Sequence, residues 1–168
     1  MADRPKIKLN LSKSDKVIEI TSWALLIGIW VLAILNFSDL PETIPTHYNG
    51  AGEADGFGEK TNIFVLPVIG TILFIGMTIL NNYPHIFNYP STITNENAYN
   101  QYSNATRMIR ILKLVIVLVF GLILFNTLQN ANGNTDGLGN WFLPLTIGLF
   151  TIPTLYFLIK SMKIKPNE

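Results

Sequence analysis

The stretch Leu40–Lys60, LPETIPTHYNGAGEADGFGEK, gathers the side chains best suited to chemistry: His47, Asn49, Glu53, Asp55 and Glu59, with Lys60 at its end. Imidazole nitrogen and carboxylate oxygen bind hard and borderline divalent cations, so His47, Glu53 and Asp55 are a candidate metal set. Neither the EF-hand spacing nor HExxH is present. An acyl-transfer triad needs a nucleophile and an orienting third group beside the histidine, and the residues around His47 supply neither in a fixed relation. No catalytic residue is assigned, and binding is the better reading than enzyme chemistry. On spacing alone a plain connector fits best: Gly50, Gly52, Gly56 and Gly58 suit tight turns, Pro41 and Pro45 stiffen the approach, and the acids are solvated. The segments IPTHYN and ADGFG can also pair as a short hairpin.

Oil flanks this stretch on both sides. Four apolar runs, Val17 to Phe37, Ile63 to Leu80, Ile109 to Leu128 and Trp141 to Ile159, each approach the roughly 20 residues that cross a hydrocarbon core about 30 Å thick. Ile20 to Phe37 contains no charge and no polar face, unlike the core helix of a soluble domain. About half of the chain is hydrophobic and only 14% is charged, against about a quarter in soluble domains. The fold class expected is therefore all-α: an integral membrane bundle of four transmembrane helices, one domain over residues 1–168. Its connections are a signature loop (38–61), a second loop (81–108) and a third (129–140). The first run is longer than a signal peptide's apolar region and lacks a small-x-small cleavage site, so it is read as a retained anchor. A net charge of +1 with no basic patch excludes nucleic acid as a partner. The absence of cysteine excludes disulfides, thiolate metal sites and a cysteine nucleophile.

Lysine and arginine are held on the cytoplasmic side of a membrane. Arg4, Lys6, Lys8, Lys13 and Lys16 precede the first run; Lys160, Lys163 and Lys165 follow the last; Arg107, Arg110 and Lys113 mark the second loop and the helix after it. Both termini and loop 81–108 are expected in the cytoplasm, with loops 38–61 and 129–140 outside. Loop 38–61 then displays Asp39, Glu42, Glu53, Asp55 and Glu59 against Lys60 alone. Ser12 with Asp15 reads as the start of the first helix. Thr94 reads as a cap for the third, which begins some turns before the membrane. Pro67, Pro144 and Pro153 are expected to kink spans. Gly28, Gly70, Gly76, Gly121 and Gly148 suit close helix packing, and Asn36 and Asn126 are candidates for hydrogen bonds between helices. Glu19 is expected to pair with Lys113 or Arg110 near one boundary. The middle of every span lacks an ionisable group, which disfavours a proton-coupled carrier.

The order Leu40-Pro41, Ile44-Pro45-x-His47, Asn49, Gly52, Asp55-Gly56-Phe57 and Lys60, set between two spans, resembles the signature of an uncharacterised bacterial membrane domain found at the head of SdpI-type immunity proteins. The resemblance implies a multi-pass protein of the bacterial inner membrane. It implies that Pro41, Pro45, His47, Asn49, Gly52, Asp55, Gly56 and Lys60 are motif or ligand-binding positions. It carries no known reaction. The reading is a lipid-embedded bundle whose outer His/Asp loop recognises a peptide, a partner membrane protein or a cation, with an immunity or signalling role. The rivals are a metal-dependent membrane enzyme using His47 and nearby carboxylates, and a small carrier. Beyond a divalent cation at that loop, no cofactor is expected.

Overall fold

A computed structural model of the protein describes residues 4–164. Lys165, expected to add to the basic C-terminal tail, lies outside them. Four helices dominate: α1 (Lys13–Asn36), α2 (Val65–Leu80), α3 (Ala98–Ala131) and α4 (Phe142–Lys163). Each is long and apolar enough to cross a membrane, counting the 3-10 turns that extend α1 to Asp39 and begin α2 at Lys60. Their side chains face outward to an extent that water would not tolerate. Ile20, Leu35, Ile72 and Ile152 are all at least 65% exposed, and such an apolar surface marks contact with lipid. The protein is a multi-pass membrane protein.

α3 is the central post, packed by α1, α2 and α4, while α2 and α4 flank it without packing substantially on each other. Leu26, Ile29, Ala33, Phe74, Val117 and Leu124 form the main apolar seam. The chain runs up and down, so both ends of the described chain and the 81–97 connection meet at one end of the bundle.

The fold is not purely helical. The connection between α1 and α2 contains a two-stranded antiparallel sheet, β1 (Thr43–Tyr48) with β2 (Ala54–Glu59), as the pairing of IPTHYN with ADGFG anticipates. The all-α expectation fails here because bundle-facing residues near the ends of the loop, Leu40 and Ile44, are buried against α1 and α3, which holds the two strands in register. Register slips next to His47, leaving Thr46 and Asp55 unpaired as bulges and breaking the two-residue alternation.

α1 starts with a full capping box: the Asp15 amide donates to Ser12 Oγ (3.1 Å) and the Ser12 amide to Asp15 Oδ2 (3.0 Å). α3 begins at Ala98, four residues after Thr94, with Asn97 at its cap position. At 34 residues it runs well past the span. Pro67 and Pro144 fall in the first turns of α2 and α4, where the amide would be unpaired anyway, so neither kinks a span. Among the described residues only Pro153 lies within a helix interior. Gly70 and Gly121 admit Phe120 and Ile29 at close packing, whereas Gly28, Gly76 and Gly148 meet no neighbouring helix. Asn36 and Asn126 bond back to Leu32 O and Leu122 O of their own helices rather than bridging helices, the local alternative open to any polar side chain in a helix.

The expected boundary charges form a seam between α1 and α3. Lys113, fully buried, donates to Glu19 Oε2 (2.6 Å) and Thr78 Oγ1 (2.9 Å) and lies 4.3 Å from the centre of the Phe74 ring. Arg110 Nε sits 3.3 Å from Glu19 Oε1 without making a hydrogen bond. One helical turn earlier Arg107 grips Asp15 through Nε (2.7 Å) and Nη2 (3.0 Å). The YPHIFNYP segment folds against the same end: Arg4 donates to Phe87 O and His85 O, and Tyr89 packs on the buried Tyr102.

Candidate functional site

Asn49 organises the hairpin turn. Its Oδ1 accepts from the amides of Ala51 (2.9 Å) and Glu53 (3.0 Å), and its Nδ2 donates to Glu53 Oε2 (2.9 Å). This polar motif position is therefore spent on folding the turn. Gly52 adopts φ +82°, and a Cβ there would overlap the Gly139 backbone. The close approach matters because loop 132–141 docks on the turn: the Leu138 amide donates to Gly52 O (2.7 Å), and Glu53 bridges Gly137.

His47 stands across the sheet from Gly56, where any side chain would crowd its Cβ. The bulged Asp55 brings Oδ1 to 2.5 Å from His47 Nδ1, with the two side chains 71% and 45% exposed. Glu53 instead turns to Asn49, and among the described residues no three His, Asp or Glu side chains form a group fit to hold a metal. Lys60 closes the base of the hairpin: its amide donates to Glu42 O (3.0 Å), its Nζ to Glu42 Oε1 (2.8 Å), and it lies over the Phe37 ring. Pro41 sits just outside β1 and Pro45 within it.

Beneath β1 lies a cleft of about 370 Å³. Pro45, His47, Asn49 and Gly52 border it on the hairpin side. Ile63 and Leu66 wall it at the start of α2, Leu124 and Thr127 on α3, and Phe142 and Leu143 on α4. Tyr48 and Thr127 hydroxyls bond across it at 2.9 Å. Burial pushes the Tyr48 phenol above its ordinary value, so it stays protonated. The cleft occupies the gap left because α2 and α4 do not pack together. Its size matches small-molecule and side-chain pockets, and its lining is mainly apolar with polar groups at the rim.

Asp55, Gly56 and Lys60 do not line the cleft; they shape the hairpin that covers it. The residues that sequence reasoning missed are Tyr48, Thr127, Leu138 and Phe142. Thr127, a lone hydroxyl beside Asn126 in an apolar run, was the only visible hint.

Residues 24–71 match the profile of a domain of unknown function (DUF1648), a window spanning the second half of α1, the whole hairpin and the first turns of α2. An uncharacterized protein of Archaeoglobus fulgidus is 35% identical over 75 residues, covering 40% of this chain and 41% of that protein. The chain thus spans about two fifths of the length of the curated relative it matches. No solved structure matches.

Proposed function

We propose that this chain is a multi-pass protein of the bacterial inner membrane that binds a cationic, amphipathic peptide segment at its outer face, in an immunity or signalling role of the SdpI type. The observation that carries the reading is the cleft beneath the hairpin, walled by apolar side chains from α2, α3 and α4 and bordered by the motif residues Pro45, His47, Asn49 and Gly52. Its surroundings are acidic: loop 38–61 holds five carboxylates against one lysine, and Asp136 lies in the docked loop. An apolar slot under a negative rim complements a segment with oily and basic faces. The excess of Lys and Arg at the opposite end supports putting that rim outside the cytoplasm. The His47–Asp55 pair supplies a hydrogen-bonding edge for the bound segment.

A fluorescent Lys/Leu amphipathic peptide, titrated into the protein in nanodiscs, tests the reading. Binding should weaken as salt rises, disappear in Leu143→Trp, which fills the cleft, and persist after chelation. Binding lost on chelation and in His47→Ala alike, with Leu143→Trp unaffected, would instead select the cation reading. Cells with and without the gene should differ in sensitivity to a co-encoded peptide; equal sensitivity sinks the immunity role.

A further inference from the structure

At the end of the bundle away from the hairpin, a second cavity of about 180 Å³ opens between α3 and α4. Asn100, Ser103, Asn104 and Arg107 line it from α3, and Lys160 and Ile164 from the end of α4. Its walls are rigidly tied. Gln101 Nε2 donates to Ser161 O (3.0 Å), Ser161 Oγ donates to Gln101 Oε1 (2.6 Å), and Asn104 Nδ2 donates to Phe157 O (2.9 Å).

Two features are left over. Asn104 is 5% exposed, yet its Oδ1 accepts no hydrogen bond from the protein. Lys160 is exposed and makes no ion pair among the described residues, while the neighbouring Arg107 is balanced by Asp15. Among the described residues the cavity therefore carries one uncompensated positive charge and one unmet acceptor.

The apolar run of α3 begins at Ile109 and that of α4 ends at Ile159, so Arg107 and Lys160 stand just beyond the hydrocarbon, at headgroup level. We propose that this cavity seats the headgroup of an anionic glycerophospholipid, its phosphate on Lys160 and the free edge of Arg107 and a headgroup hydroxyl on Asn104 Oδ1. Basic pockets between transmembrane helices are suited to such headgroups. The acyl chains lie against the lipid-facing surface of α4. This site is independent of the hairpin cleft.

Native mass spectrometry of the full chain in detergent, with equal phosphatidylglycerol and phosphatidylcholine, tests it. Phosphatidylglycerol should be retained about fivefold over phosphatidylcholine, the ratio one lysine confers for a net anionic over a zwitterionic headgroup. Lys160→Gln, which removes the charge, and Ser103→Leu, which fills the cavity, should each abolish the preference with unchanged melting temperature. Equal retention of the two lipids by the wild type, or a preference surviving in either variant, overturns the proposal. Millimolar inorganic phosphate should leave the lipid bound; displacement by phosphate alone would make the site one for the free anion and refute the lipid assignment.

Discussion

Among the described residues Glu19 is the only carboxylate within ion-pair distance of both Lys113 and Arg110, so Glu19→Gln leaves two mostly buried cations opposite a neutral amide. Breaking a buried pair in this way costs about 3 to 5 kcal/mol. The Glu19 side chain retains 21% exposure, and Lys113 keeps Thr78 and the Phe74 ring, which points to the low end, about 3 kcal/mol. For a chain of this length that corresponds to a fall in Tm of about 6 to 12 °C. Lys113→Met should cost far less, about 1 kcal/mol, because Glu19 still faces Arg110 and a thioether of similar length fills the space. Thermal melts in detergent, followed by tryptophan fluorescence, read both variants. Trp23 makes an edge contact with Phe74 at 4.5 Å, beside the lysine, and reports locally. Equal losses in the two variants, or a larger loss in Lys113→Met, would refute the view that one carboxylate serves two cations.

Gly52→Ala forces an L side chain into left-handed backbone against Gly139; it should cost at least about 1 to 2 kcal/mol and expose loop 132–141 to protease, and an unchanged cleavage pattern would contradict the docking. Asn49→Ala removes three hydrogen bonds from the turn and should destabilise the protein by about 1 to 3 kcal/mol. Asn49→Asp, which keeps the acceptor but sets a second carboxylate beside Glu53, should fall between the two; a melt of Asn49→Ala matching wild type would show that the turn does not depend on this side chain. Tyr48→Phe breaks the bond to Thr127 and should lower stability by about 1 kcal/mol; a matching loss in the Thr127→Val variant, not additive in the double variant, checks that the two hydroxyls act as a pair.

Much of the scaffold was legible because lipid imposes a simple rule. Backbone polar groups must be satisfied within each segment, so about 20 apolar residues without charge mean a spanning helix. The same logic located Glu19, Lys113 and Arg110 as mutual partners, since charges near a boundary must be paired or reach water. The Ser12–Asp15 box was visible because capping is local. The proline and glycine readings were less successful. A proline in the first turn costs nothing, and where α2 and α4 begin depends on tertiary contacts near the hairpin. Only a facing helix can tell whether a small residue is an interface.

The sequence by itself determined the number of spans, the position of the hairpin segment between two of them and the placement of its His, Asp and Gly side chains on one short loop, because periodicity, hydropathy and turn preference act over a few residues. The tertiary structure decided that Asn49 folds the turn and that Asp55 bulges toward His47. It also decided that loop 132–141 seals the hairpin through Gly52 and that a cleft opens where α2 and α4 part. The first two are settled within the hairpin, by bonds from Asn49 to Ala51 and Glu53 and from Asp55 to His47. The docked loop and the cleft rest on distant contacts, such as Leu138 with Gly52 and Thr127 with Tyr48, which form only when the helices have packed around α3 and which no local pattern encodes.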